Sequence, residues 1–213
     1  MPKTTTHLSK AKRLTREQSQ AQTRARLIEV GRRHFLRYGL GGAVAEKIAA
    51  DAGYTRGALY ANFEGKEGLF LSVIHEQKMH HFEVFRAILG KKHLSATVRL
   101  QKFRSAYVDI LTDRDWIVLY TEFEAEALRN ERVRSCIQGL HRGAICDGIA
   151  LIEELLASSE IKLKMTPKEF LIVMHNFSTG MAINQKIMGT TIPKKCARQL
   201  ILSLFDSLIS STK

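Results

Sequence analysis

Val44 to Phe70 reads VAEKIAADAGYTRGALYANFEGKEGLF, and this stretch decides the fold. At helical spacing Ile48 and Ala49 share one face of a short helix. Asp51-Ala-Gly53 breaks it, with Gly53 where a tight turn needs a positive φ. Thr55 is placed to cap a second short helix, and Ala58, Leu59 and Phe63 give that helix an apolar side to fold back onto the first. Two short helices joined by a glycine turn make a helix-turn-helix, whose second helix enters the DNA major groove. The outward residues suit that role. Thr55 and Tyr60 carry hydroxyls that reach phosphates, Arg56 can fork onto a guanine edge, and Gly57 and Ala58 permit close approach to bases. Asn62 ends the same helix, and Lys66 opens the next, where unpaired backbone N–H groups favour an anion. The candidate DNA-binding set is therefore Thr55, Arg56, Gly57, Ala58, Tyr60, Asn62 and Lys66.

The run IAADAGYTRGALYANFEGKEGLF resembles the signature of the tetracycline-repressor (TetR) family, matching it in spacing at Ile48, Ala49, Ala52, Gly53, Thr55, Gly57, Leu59, Tyr60, Phe63, Lys66, Glu67 and Leu69. With its preceding helix the motif covers the N-terminal third. The family usually has Ser or Thr where Val44 stands, capping the first short helix against a phosphate. Val44 cannot make that contact. The resemblance implies an all-α fold, with an N-terminal three-helix DNA-binding domain and a larger helical domain for ligand binding and dimerisation. It also implies that the helix after the motif acts as the lever between the two.

Charge points the same way. Residues 1 to 66 hold thirteen Lys/Arg against five Asp/Glu, +8 of the chain's formal +12. A basic domain beside a groove-reading helix suggests double-stranded DNA as partner. No apolar run has the length of a membrane span, and the N-terminus has no apolar stretch after its charges, so a cytoplasmic, membrane-free protein is expected. Residues 1–20 read as a basic disordered arm, either a solvated tail or one reaching phosphates or the minor groove. Residues 21–65 read as the DNA-binding domain, with the motif over 44–63, and residues 66–213 as the helical ligand-binding and dimerisation domain.

Outward from the motif, Ala21 to Tyr38 is a helix with Leu27, Ile28, Gly31, Phe35 and Tyr38 in one stripe, closed by Gly39. Only Pro2, Pro167 and Pro193 occur, leaving the middle free to be continuous helix. Helices are expected over Lys66 to about Leu89, Leu94 to Leu111, from an Asp113 cap through Ala127, and over Glu131 to Ala157. A further helix runs from a Thr166-Pro167 start to Met188, and the last from Pro193 to Ile209. Gly139 and Gly143 suggest that another helix passes close to the fifth of these.

Phe103, Tyr107, Trp116, Tyr120, Phe123, Met174, Phe177 and Met181 are candidate walls of a cavity for a small, largely apolar or aromatic effector, and ordinary core is the alternative for each. Asp147, at the edge of its stripe, either pairs with a nearby Arg or Lys or faces that cavity. The last two helices carry more apolar surface than a small domain needs. They are expected to pair with their copies in a four-helix homodimer interface involving Ser178, Gly180, Leu200, Leu204, Phe205 and Leu208, a location the family resemblance also implies.

Enzyme chemistry finds no purchase, and no catalytic residue or cofactor is assigned. There is no nucleophile elbow, and Gly39-Leu-Gly-Gly42 follows a helix and lacks the dinucleotide spacing. His75 and His80 lie five apart, about 140° around a helix, so they do not make a zinc pair, and no metal is expected. Cys136, Cys146 and Cys196 are odd in number and far apart, expected reduced and buried. The reading is a dimeric, sequence-specific transcriptional regulator, most simply a repressor on a palindromic operator. An architectural protein that coats DNA without sequence preference is the alternative.

Overall fold

The structure, a computed structural model, describes residues 15–157 and 161–211. Nine α-helices lie among them: α1 (Arg16–Gly42), α2 (Ala45–Asp51), α3 (Arg56–Asn62), α4 (Gly65–Leu89), α5 (Ala96–Leu111), α6 (Arg114–Ala127), α7 (Glu131–Ala157), α8 (Pro167–Met188) and α9 (Lys194–Ser207). The all-α expectation holds, with one addition. Residues Ile161–Leu163 (β1) and Ile209–Ser211 (β2) pair as a two-stranded antiparallel ribbon, Lys162 opposite Ser210. The last helix therefore stops at Ser207, short of the expected Ile209.

The first helix starts at Arg16, five residues before the expected Ala21. Thr15 and Gln18 form a reciprocal capping box there, so residues 16–20 are helical rather than part of an arm. The remainder of the arm, residues 1–14, lies outside the described residues. Gly39, at φ 66°, turns the end of α1. Thr166 caps α8 ahead of Pro167, as the sequence suggests, and Glu169 completes a second capping box with it.

Two apolar cores result. One joins α1–α4 to α6 and the start of α7, through Leu27, Phe35, Ile48, Leu59, Phe70, Leu119, Phe123 and Val133. It thus continues beyond residue 65 into the larger helical part. The other joins the end of α4 to α5, α7, α8 and α9. Gly139 and Gly143 have open space where a Cβ would stand, so among the described residues no helix passes close to them. The tight approach is at Gly148, whose added Cβ would lie 2.9 Å from Leu171. Cys146 and Cys196 are exposed and Cys136 half-buried, against the expectation of burial; all three are free thiols. No helix among the described residues is long and apolar enough to cross a membrane.

Candidate DNA interface and ligand cavity

The α2-turn-α3 unit forms as its residues dictate. Gly53 takes φ 82° in the turn, the Thr55 hydroxyl accepts the Ala58 N–H at 3.3 Å, and Leu59 is fully buried beneath α3. Val44 caps α2 with no side-chain hydrogen bond, as its apolar side chain requires. Thr55, Arg56, Gly57 and Tyr60 are exposed on one short helix, and Ala58 is half-exposed beside them. The Arg56 guanidinium pairs with the Glu46 carboxylate at 2.8 Å and lies over the Tyr60 ring, 5.1 Å from its centre.

Two members of the DNA-binding set are engaged elsewhere. Asn62 donates from its side chain to the Ala58 carbonyl at 2.8 Å, while its own carbonyl accepts from Arg24. The Lys66 ammonium donates to the Gly41 and Ala43 carbonyls at 3.3 and 3.1 Å, stapling the α1–α2 turn to α4. Those acceptors occupy the charge that the sequence offered to a phosphate.

A cavity of about 330 Å³ opens between α4, α5, α6, α7 and α8. Phe82, Phe85, Phe103, Tyr107 and Trp116 give it a mostly aromatic wall. Phe85 packs at 4.8 Å (centre to centre) on Phe103, and His81 stands edge-on to Trp116. Of the expected wall, Phe103, Tyr107 and Trp116 line it, and Tyr120 lies behind its polar end. The rest are elsewhere. Phe123 is buried against Phe70 in the first core, and Met174 is buried in the second with Met181 packed on it. Phe177 points outward, 37% exposed, on the same side of α8 as the exposed Val173. Asp147 pairs loosely with Arg86 at 3.8 Å, both well exposed, so its ion-pair alternative is the one realised.

Polar groups missed in the sequence gather at one end of the cavity: Lys78 from α4, Glu124 from α6, His141 from α7 and His175 from α8. The Tyr120 hydroxyl lies 2.5 Å from His141 Nε2 and 3.3 Å from His175 Nε2. Burial dominates their titration. It lowers Lys78 to about 8, against the pull of Glu124. It lowers His141 and His175 to about 4, with the Lys78 charge adding to the effect. Glu124 is raised by burial, opposed by Lys78 and the Tyr120 hydroxyl, and Tyr120 itself is raised by burial. One signal was available: His175 follows directly on the apolar run Phe170 to Met174 of α8.

Helix α6 faces both ways. Trp116 and Glu124 meet the cavity, while Asp115 and Glu122 hold α1, by an ion pair to Arg32 at 2.9 Å and a hydrogen bond from the Leu40 N–H at 3.0 Å. Arg132 at the start of α7 pairs with Glu64 ahead of α4.

Of the expected dimer residues, Leu200 is 44% exposed and Gly180 has open space around it, whereas Leu204 and Leu208 are half-buried. Ser178 and Phe205 are buried within the chain, Phe205 packed edge-on against Phe170, because α8 and α9 turn these faces to each other and to α5. Ile172, Val173 and Phe177 are exposed apolar residues of α8, Ile172 also bordering the cavity.

Residues 27–73 match the family described as bacterial regulatory proteins, tetR family. An HTH-type transcriptional repressor of Streptomyces coelicolor is 30% identical over an alignment of 134 residues that covers 60% of this chain and 69% of that one. Among solved structures, a Rhodococcus sp. protein described as a TetR-family transcriptional regulator superposes with a TM-score of 0.73 at 18% identity, over 89% of this chain and 100% of that one. The Bacillus subtilis regulator FadR, solved with stearoyl-CoA, gives 0.68 at 18% identity, over 85% and 96%. The structures share the fold; the sequence relationship, with the motif formed and α3 exposed, carries the assignment. The chain belongs to the TetR family of DNA-binding bacterial transcriptional regulators.

Proposed function

We propose that the protein is a cytoplasmic homodimeric repressor that binds a palindromic operator and is released from it by a small, largely apolar or aromatic ligand. The observation that carries this reading is the double contact of α6, one side on the cavity and the other on α1. A ligand that repositions α6 acts on the DNA-binding unit through Asp115 and Glu122, so cavity occupancy and operator affinity become linked. The aromatic wall favours an apolar or aromatic molecule. The repressor assignment draws on the Streptomyces relative, and ligand responsiveness on the lipid-bound state of FadR.

In this proposal Thr55, Arg56, Gly57, Ala58 and Tyr60 touch DNA, Arg56 reading a base edge once it leaves Glu46. Lys66 and Asn62 shape the unit from within. Dimerisation uses the outer faces of α8 and α9, around Phe177, Gly180 and Leu200, and sets two α3 helices about 34–36 Å apart, or a multiple of a DNA turn.

The test is selection from a random DNA library with wild-type protein and Arg56→Ala, with the mass of the complex measured by light scattering. An inverted repeat bound by a dimer, with preference relaxed in the variant, is the expected result. Recovery of a structureless, salt-sensitive pool points instead to an architectural DNA-coating protein, and a monomer on a single half-site removes the dimer.

A further inference from the structure

Three donor side chains that no sequence spacing connects meet at the polar end of the cavity. Glu124 comes from α6, His141 from α7 and His175 from α8, and one donor atom of each lies within 4.8 Å of the other two. Both imidazoles turn Nε2 towards one point, now marked by the Tyr120 oxygen, and their rings stand edge-on, 5.6 Å apart. We propose that Glu124, His141 and His175 form a site for a divalent transition-metal ion, best matched by Zn²⁺, whose remaining coordination positions open into the cavity.

The donor set selects the class. Two imidazoles and a carboxylate suit Zn²⁺ and its late first-row neighbours. Mg²⁺ and Ca²⁺ favour sets made of oxygen, and the free cysteines that would attract a softer ion lie outside the cluster. Donors around a tetrahedral ion at zinc distances stand roughly 3.5 Å apart, so the triad has to close by about 1 Å. That closure takes rotation of the three half-buried side chains and withdrawal of the Tyr120 hydroxyl, which now sits between the two imidazoles. Three protein ligands leave a further position for water or for a donor atom of a molecule in the cavity.

Lys78 sets the selectivity. Its ammonium faces the same cluster and attracts Glu124. A dication is opposed by that charge, whereas an organic anion would be held by it. Lys78→Met therefore separates the two occupants, strengthening metal binding and weakening an anion's.

The experiment uses the 213-residue chain, stripped with a chelator and titrated with Co²⁺ and then Zn²⁺ in the absence of DNA. The expected result is one Co²⁺ per chain, with visible d–d absorption, no thiolate charge-transfer band, and displacement by Zn²⁺. Glu124→Gln and the His141→Ala/His175→Ala pair should weaken binding by more than the roughly 10- to 100-fold that losing an outer-shell partner costs. Serine at Cys136, Cys146 and Cys196 should leave it unchanged, and Lys78→Met should tighten it. Circular dichroism checks that each variant is folded, and the near-isosteric Glu124→Gln carries the test if the histidine pair is not. No stoichiometric uptake, uptake unaltered by Glu124→Gln, or loss in the serine variant each overturns the site. Because DNA takes no part, any of these results leaves the operator reading as it stands.

Discussion

Glu122 on α6 accepts the backbone N–H of Leu40 at 3.0 Å, tying the wall of the cavity to the end of α1 across 82 residues of sequence. The tie sits at a bend that only glycine makes easily. Gly39 precedes Leu40 at φ 66°, and a Cβ there would stand 3.0 Å from the same Glu122 oxygen.

Removing the acceptor isolates the contribution of this tie. Glu122→Ala leaves the buried Leu40 amide unpaired and should destabilise the fold by about 1–3 kcal/mol. Glu122→Gln keeps an acceptor oxygen and should recover most of the loss. Denaturant melts give the energies, and hydrogen exchange at the Leu40 amide gives the location. Unchanged exchange in the alanine variant would show that the bond is not formed in solution.

Arg56 is held by Glu46 before it can reach DNA. Glu46→Gln releases it and removes a negative charge from the DNA-facing surface. Since an exposed ion pair is weak and screened by solvent, operator affinity should rise modestly, by up to about fivefold. Fluorescence anisotropy on the selected operator measures it; a fall would mean that Glu46 orients Arg56 for its base.

Lys66 should behave unlike a phosphate contact. Lys66→Met takes a donor from the Gly41 and Ala43 carbonyls and should lower stability by about 1–3 kcal/mol. The slope of log affinity against log salt should stay the same, because no phosphate partner is lost. A slope shallower by about one unit, with stability unchanged, would place the ammonium on DNA instead.

His81 makes the fold sensitive to acid. Burial lowers it to about 4, with the neighbouring His80 adding to the shift and Asp113 opposing it. Between its ordinary value near 6.5 and 4 the unfolded chain holds a proton that the folded chain does not. The stability conferred by a neutral His81 is complete above pH 6.5 and is lost as pH falls to 4. Thermal melting of His81→Phe should show a shallower decline from pH 7 to 5 than wild type, and an identical decline would assign the sensitivity elsewhere.

The proposed dimer rests on the outer face of α8 and α9. Phe177→Glu with Leu200→Glu adds charge where a single chain already exposes both residues. Sedimentation should give half the wild-type mass with helix content retained. A dimer that survives both changes would locate the interface on another surface.

The DNA-binding unit was legible because its information is local. Gly53, Thr55 and Leu59 each act within a few residues of themselves, and each does what its chemistry requires. The start of α1 was equally local, in the spacing of Thr15 and Gln18, but was masked by the basic residues around it. The cavity was half legible. Aromatic residues at helical spacing announce a buried face without saying what they face, so Trp116 reached the cavity while Phe123, on the same helix, went to the first core. Phe205 erred for the same reason, since an apolar stripe looks alike whether its partner is the same chain or a copy, and the small Ser178 lets helices approach within the chain. The meeting of Lys78, Glu124, His141 and His175 arises from the packing of four helices, and no spacing encodes it.

The short ribbon of β1 and β2 has a consequence for association. Beside its strand pairing, the Lys164 N–H donates to the Leu208 carbonyl at 3.0 Å and the Lys164 ammonium to the Ser207 carbonyl at 2.8 Å. The C-terminal end of α9 is thereby clamped to the segment entering α8. A helix end left unclamped would fray and lose backbone entropy when a partner docks on it. Here that ordering is completed within the single chain, so two copies would meet as preformed surfaces, and cutting the clamp would slow and weaken their encounter even with every side chain of α9 left in place.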